Sequence, residues 1–178
     1  MGKLNNIDKA AEGKGSAINT LWQFVKFIVV SLGAFVIQTF LPLLIKLPMS
    51  DAFLYKEFTF WVFKSTAEVG LGIFIAANLS NIIAQIVSFF INRDKTFNSD
   101  ANVAVTLPIY IIFTIALICF SAWLSPTLIT FFADKVGENA AISISGAICG
   151  AIQFFLYFPV DKILFHKKKE EKSEAEAK

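Results

Sequence analysis

The chain has 178 residues, of which 56% are hydrophobic and 17% charged, with twenty Phe and a formal net charge of +2. A water-soluble domain of this size needs more charge to cover its surface, so the composition excludes an ordinary globular fold and points to a membrane protein. The small net charge is a sum over tails, and no basic, aromatic-interleaved module for RNA or DNA is present, so nucleic acid is not an expected partner.

Residues 1–20 are polar, contain Gly13 and Gly15, and read as a flexible tail. An apolar run over 21–45 follows. It exceeds the ~18 residues that mark a transmembrane helix. It starts too late and runs too long for a standard cleaved signal peptide, and it reads as an uncleaved anchor. Lys26 lies about one turn inside its start, after Trp22 and Gln23. A lysine there either snorkels to the headgroups or points inward to meet a phosphate.

The connection from 46 to 68 carries Phe53, Tyr55, Phe58, Phe60, Trp61 and Phe63 among charges. It is too short and too charged to span. Aromatics at this density favour the membrane interface, so an interfacial helix or a shallow re-entrant piece is expected over 50–64.

The second spanning helix is expected over 69–92. Asn78, Asn81, Gln85, Ser88 and Asn92 fall at offsets 0, 3, 7, 10 and 14 within it. At ~100° per residue they lie within an arc of roughly 80° on one helix face. Around them the segment is almost wholly apolar. Polar side chains facing lipid are costly, because an unpaired amide finds no partner there. The stripe must therefore face protein, as interhelical glue, or line a hydrophilic groove. It ends in Asn92-Arg93-Asp94-Lys95, at headgroup depth.

The third and fourth helices are expected over 105–130 and 140–165. Pro108 and Pro126 lie in the third run, which is why its expected span is shorter than its apolar stretch. Cys119 and Cys149 sit inside apolar runs, form no metal spacing or disulfide framework, and read as small packing residues. Residues 167–178 are a mixed charge run and read as a solvated tail, with a Lys167–Lys169 cluster near the membrane surface.

The expected fold class is thus all-α: a polytopic protein with a membrane domain over 21–166. Lys3, Lys9, Lys14, Arg93, Lys95, Lys162 and Lys167–Lys169 flank one side of the spans. The positive-inside rule places both termini and the second connection in the cytoplasm. An internal echo adds an arrangement. Shifted by 65 residues, Ser88–Asn92 falls on Gln153–Tyr157, and the stripe falls on Ser143, Gly146, Gly150, Gln153 and Tyr157. Helices one and two then form one hairpin and three and four another, related as parallel repeats of the kind transporters use. Helices two and four would face one another, with the glycines allowing close approach, or would face a shared cavity.

Catalysis has little support. His166 is the lone histidine and lies in the basic tail. Paired carboxylates for glycosyl transfer, a metal cluster, a phosphate-cradling glycine loop and a nucleophile motif are all missing. No enzyme activity, cofactor or metal is expected. Proton coupling has one candidate, Asp161, whose place near the cytoplasmic boundary argues against that role. Arg93, Lys26 and Lys95 lie at similar depth beside Asn92 and suit a phosphodiester: Arg forks onto phosphate oxygens and Lys acts as a point charge. Asp94 would offset them or orient Arg93.

Two motifs carry a family resemblance. Lys26-Phe27 followed by Ile-Val-Val and Ser-Leu-Gly resembles the first-helix signature of GtrA-like membrane proteins. Ser88-Phe-Phe-Ile-Asn-Arg-x-x-Thr-Phe97 resembles that family's central motif at the end of helix two. The likeness covers about residues 21–165. Ser31 stands where the family usually has Gly, and Lys95 where it usually has Trp. The resemblance implies translocation of a polyprenyl-phosphate-linked sugar, such as undecaprenyl-phosphate-glucose, across the cell membrane for cell-surface polysaccharide or teichoic acid glycosylation. It carries over to Lys26, Asn92, Arg93 and Phe97. The remaining expected contacts, Asn78, Asn81, Gln85, Ser88, Gln153 and Tyr157, rest on the stripe and its echo. Two other readings stand beside this one. A non-transporting partner subunit of a glycosyltransferase would use the stripe to bind a partner helix. A small multidrug-type exporter would normally need an embedded acid in mid-span. A homodimer is compatible with any transport reading.

Overall fold

The computed structural model describes residues 7–11, 13–66 and 69–165, apart from the side chain of Glu138. Four long helices dominate it: α1 (Ser16–Lys46), α2 (Leu71–Ile91), α3 (Val103–Val136) and α4 (Glu138–Leu164). Each contains an apolar stretch long enough to cross a bilayer, so this is a multi-pass, all-helical membrane protein. α2 runs on without a break into a π-helical turn, Asn92–Thr96, giving a continuous span of 26 residues.

The helix ends differ from expectation in three places. α1 begins at Ser16, so residues 16–20 are helical and not tail. Nothing in Ser-Ala-Ile-Asn-Thr breaks a helix; the break is Gly15, whose φ of +102° suits glycine. Residues 7–11 also form a helical turn. α3 extends to Val136, past both of its prolines. A proline removes one backbone donor, and a helix in an apolar setting survives that where local groups take up the freed carbonyls. The connection expected over 133–139 shrinks to Gly137 alone, which ends α3 and starts α4 at a φ of +85°. The charged tail over 167–178, including the Lys167–Lys169 cluster, lies outside the described residues.

The two largest helix–helix interfaces pair α1 with α2 and α3 with α4. These are the two hairpins that the sequence echo outlines. α2 also packs on α3, whereas the backbones of α1 and α4 stay farther apart and meet through side chains. The one apolar core gathers Phe27, Phe89, Phe97, Tyr110, Leu117, Tyr157 and Phe165. Most of it lies at the end of the bundle that carries Lys26, Arg93 and Lys95, called the basic end below. Phe24 and Phe27 of α1 meet Phe154 and Phe158 of α4 there, with ring centroids 4.9–5.9 Å apart.

At the opposite end, the aromatic connection is not a single helix. It folds as one helical turn, Asp51–Leu54, and a two-stranded hairpin, Thr59–Phe60 with Phe63–Lys64. Aromatic residues favour a pleated ribbon over a short helix. Phe58 and Phe63 pack on Phe74 of α2, with centroids 4.8 and 4.9 Å away. That leaves Phe60 and Trp61 at the tip, 70% and 75% exposed. The helical turn sits hard against the start of α2. A Cβ on Gly70 would lie 2.4 Å from the Leu54 carbonyl oxygen, and one on Gly72 would lie 2.8 Å from the Leu54 Cα.

Gly70→Ala should therefore push the Asp51–Leu54 turn off α2 and cost about 1–3 kcal/mol, the usual penalty for overpacking. Gly33→Ala, where an added Cβ meets nothing within 4 Å, should be near neutral. Thermal unfolding of the two variants in detergent checks this; equal midpoints would contradict the packing described.

Candidate functional site

A cavity of ≈ 330 Å³ opens among all four helices. Its polar lining comes from Ser31 and Gln38 of α1, Gln85 and Ser88 of α2, Tyr110 of α3, and Gln153 and Tyr157 of α4. Phe27, Phe35 and Phe154 contribute apolar wall. The volume is at the small end of the ~300–1,000 Å³ typical of ligand pockets, and the mixed lining has the character of one. The backbones of α1 and α4 stand apart, and the cavity between the helices is not enclosed. Cβ atoms added at Gly146 or Gly150 of α4 would meet nothing within 4 Å. The glycines therefore leave space and do not bring helices together. Helices two and four face a shared cavity, the second of the two expected arrangements.

The polar stripe divides by depth. Gln85 and Ser88 line the cavity, and Tyr110 Oη donates to Gln85 Oε1 at 3.1 Å. Asn81 stands one turn away and accepts a 3.1 Å hydrogen bond from Gln38 Nε2. Asn78 turns back on its own helix and donates to the Phe74 carbonyl at 2.8 Å. On α4, Gln153 Nε2 donates to Ser121 Oγ at 2.7 Å, and Tyr157 Oη to Thr114 Oγ1 at 3.0 Å. The sequence echo thus has a spatial counterpart. Gln85 and Gly150, and again Ser88 and Gln153, are equivalent positions that line one cavity.

Asn92 differs from the rest of the stripe. It is fully buried, and both ends of its amide are taken. Nδ2 donates to Asp161 Oδ2 at 2.7 Å, and Oδ1 accepts from Thr96 Oγ1 at 2.9 Å. One amide N–H remains unused, but the side chain is fully buried and out of reach of a phosphate at the surface, so its place is in the wall beneath the cavity. Asp161 is 0% exposed, and its Oδ1 has no hydrogen-bond partner among the described residues.

Lys26 meets the π-turn that carries Arg93 and Lys95. Lys26 Nζ donates to the Lys95 carbonyl at 2.8 Å, which ties α1 to the π-turn. It also pairs with Asp8 Oδ1 at 3.0 Å. Arg93 Nη1 pairs with Asp94 Oδ1 at 2.7 Å, and its Nε donates to the Ala101 carbonyl at 3.0 Å. Asp94 thus orients Arg93, as expected from their adjacency. The Lys95 side chain is exposed. Asp8 is the unforeseen member. Trp22 Nε1, Lys26 Nζ and Asn98 Nδ2 all converge on its carboxylate. Burial is the largest single influence on that carboxyl and pushes its pKa upward. The hydrogen bonds from Trp22 and Lys26, the Lys26 charge and Asn98 together outweigh burial and hold it below its ordinary value.

Sequence reasoning missed Ser31, Gln38 and Tyr110 as lining and Asp8 as a partner. Gln38 and Tyr110 had a usable signal: each is a large polar side chain within an apolar run. Asp8 had none, because it lies in a polar segment with no periodicity. Among the described residues no group of three or more His, Cys, Asp or Glu is placed to hold a metal. No family model, curated protein or solved structure matches the chain.

A depressed Asp8 pKa stabilises the docked 7–11 turn at pH above the ordinary carboxylate value of ~3.9. That contribution is lost as pH falls through the lower, folded-state value. In a Trp61→Phe, Trp123→Phe background, the Trp22 emission should shift on acidification into that range. Asp8→Asn should remove the transition; a transition that persists in the Asn variant would assign it to another group.

Proposed function

We propose that this protein is a GtrA-like carrier that moves a polyprenyl-phosphate-linked sugar, such as undecaprenyl-phosphate-glucose, across the cytoplasmic membrane for cell-surface polysaccharide or teichoic acid glycosylation. The observation that carries the reading is the pairing of a sugar-sized cavity, its polar groups set in a largely apolar wall, with cationic residues one to two turns away. The amides of Gln38, Gln85 and Gln153 and the hydroxyls of Ser31, Ser88, Tyr110 and Tyr157 offer the donors and acceptors a sugar needs. The loose α1–α4 seam lets a polyprenyl chain remain in lipid while its headgroup enters. Lys26, Arg93 and Lys95, on the cytoplasmic side in this reading, hold the phosphate.

Lys95 meets the phosphate first, being exposed. Lys26 follows by exchanging the Asp8 carboxylate for a phosphate oxygen, so that one anion replaces another at the same donors. Arg93 keeps Asp94 as its orienting partner and offers its remaining N–H groups. Asn92 supports this site through the wall and does not touch the ligand. The cavity also favours carriage over a purely scaffolding role: Gln85, though bonded to Tyr110, and Ser88 both border open volume, which helix–helix glue alone does not require.

Full-length protein reconstituted in liposomes with a short-chain polyprenyl-phosphate-glucose tests the reading. Lys95→Ala with Arg93→Ala should weaken binding of the probe by at least ten-fold, the loss of about 1.4 kcal/mol or more expected for charge-assisted hydrogen bonds to phosphate. Gln85→Leu should leave binding of a polyprenyl phosphate lacking sugar unchanged and slow sugar translocation. Unaltered binding and transport in both folded variants would sink the mechanism.

A further inference from the structure

The Asn92–Asp161 bridge lies where passage out of the cavity must be controlled. Ser88 and Tyr157 border the cavity. Asn92 is one helical turn beyond Ser88, and Asp161 one turn beyond Tyr157. Their hydrogen bond therefore joins the first hairpin to the second, closing the cavity toward the basic end. Thr96 braces Asn92 from within the same π-turn, a form of helix often found at functional positions.

The state of the carboxyl group decides whether this closure is stable. Asp161 is wholly buried. Neither ion pair among the described residues includes it. The titratable groups near it are Tyr110 of α3 and Tyr157 of α4, both neutral phenols that supply no positive charge. On α1, the Lys26 ammonium is committed to Asp8 and the Lys95 carbonyl. Lys162, the next residue on α4, donates to Thr20 Oγ1 at 2.7 Å. On the π-turn, Arg93 is paired with Asp94, and Lys95 is exposed. An ionised carboxylate here would hold an uncompensated charge away from water with one hydrogen bond to Oδ2 and none to Oδ1. Such a charge is strongly disfavoured, whereas a neutral acid fits. Ionisable groups within membrane spans are costly and commonly mark proton relays.

We infer that Asp161 is a proton-binding site whose protonated form holds the Asn92–Asp161 closure and whose deprotonated form opens the cavity toward the basic end. The bridge is thereby a two-state element, and its opening is linked to release of one proton. The proton departs from Oδ1 to water entering at the basic end and returns when the bridge reforms. Transport of the lipid-linked sugar, on which this inference rests for its purpose, would then draw on the proton gradient. Asp161 is a positioning and coupling residue; it does not touch the sugar.

Two measurements on the full-length protein separate this inference from the transport reading. Infrared spectra of the reconstituted protein at neutral pH should show a protonated carboxyl C=O band that Asp161→Asn lacks. Absence of that band in the wild type overturns the proton site whether or not the protein carries sugar. Liposomes loaded with a pH-sensitive dye then report proton movement while polyprenyl-phosphate-glucose is translocated. Wild type should translocate faster under an imposed pH gradient and shift the dye signal. Asp161→Asn, fixed in the neutral form, should bind the probe with unchanged affinity but translocate it at least ten-fold more slowly, with no dye signal. Asp161→Glu should restore both signals in part. Equal gradient dependence in wild type and Asp161→Asn overturns the coupling. Failure of the wild type to carry the probe at all, with the carboxyl band present, removes the sugar-carrier reading and leaves the proton site standing.

Discussion

Asn92 and Asp161 tie the two hairpins together at the basic end, and much of the remaining architecture depends on that contact. Each hairpin is internally well packed, α1 on α2 and α3 on α4. Between them, α2 packs on α3, while α1 and α4 meet through side chains at the basic end. Without a bond from the end of α2 to α4, that second seam would rest on the Phe24 and Phe27 contacts and the Lys162–Thr20 hydrogen bond. The bond is short, fully buried and braced by Thr96. A low-dielectric setting strengthens such a network and penalises any member left unpaired. The unpaired oxygen of Asp161 is therefore a stress built into the same element that holds the bundle together.

The same rule orders the polar groups along the bundle. No water is available in the hydrocarbon region, so each polar side chain must find a partner or a cavity. Near the basic end the partners are other side chains: Asn92 with Asp161 and Thr96. In the middle Gln85, Ser88, Gln153 and Tyr157 border the cavity, and Gln85, Gln153 and Tyr157 also bond to side chains of α3. Toward the aromatic end Asn78 falls back on its own backbone. One stripe of five residues thus serves as clamp, cavity wall and locally satisfied helix surface. The glue and groove readings of the stripe are both met, at different depths.

This division explains what the sequence could reveal. Period and composition are properties of one helix, so the four spans, the stripe and the pairing into hairpins were all legible in it. The echo between Ser88–Asn92 and Gln153–Tyr157 even anticipated two pairs of cavity positions. Which atoms meet across helices is a property of two segments, and periodicity carries no signal of it. Hence Asn92 was read as a phosphate ligand when its amide is committed to Asp161. Gly146 and Gly150 fitted close helix approach or a shared cavity equally well by sequence, and the space beside them decides for the cavity. The aromatic connection escaped for a local reason. Its run of aromatics is long enough for a helix by count, but Gly70 and Gly72 let the Asp51–Leu54 turn press against α2, and the residues between them close as a hairpin.

The cations at the basic end show how a binding site and its closed state use the same groups. Lys26 is paired with Asp8, and Arg93 with Asp94, while Lys95 and Lys162 have no ion-pair partner among the described residues. Both partners are carboxylates on partly accessible segments, and a phosphate offers the same oxygens with more charge. Exchange at Lys26 therefore needs no new geometry, only release of the 7–11 turn. Release would also loosen the Lys26 contact with the Lys95 carbonyl, which bears on the π-turn that holds Asn92. In the proposed carrier, phosphate at the surface and the proton on Asp161 would act on opposite ends of that one turn, so that neither could change state without biasing the other.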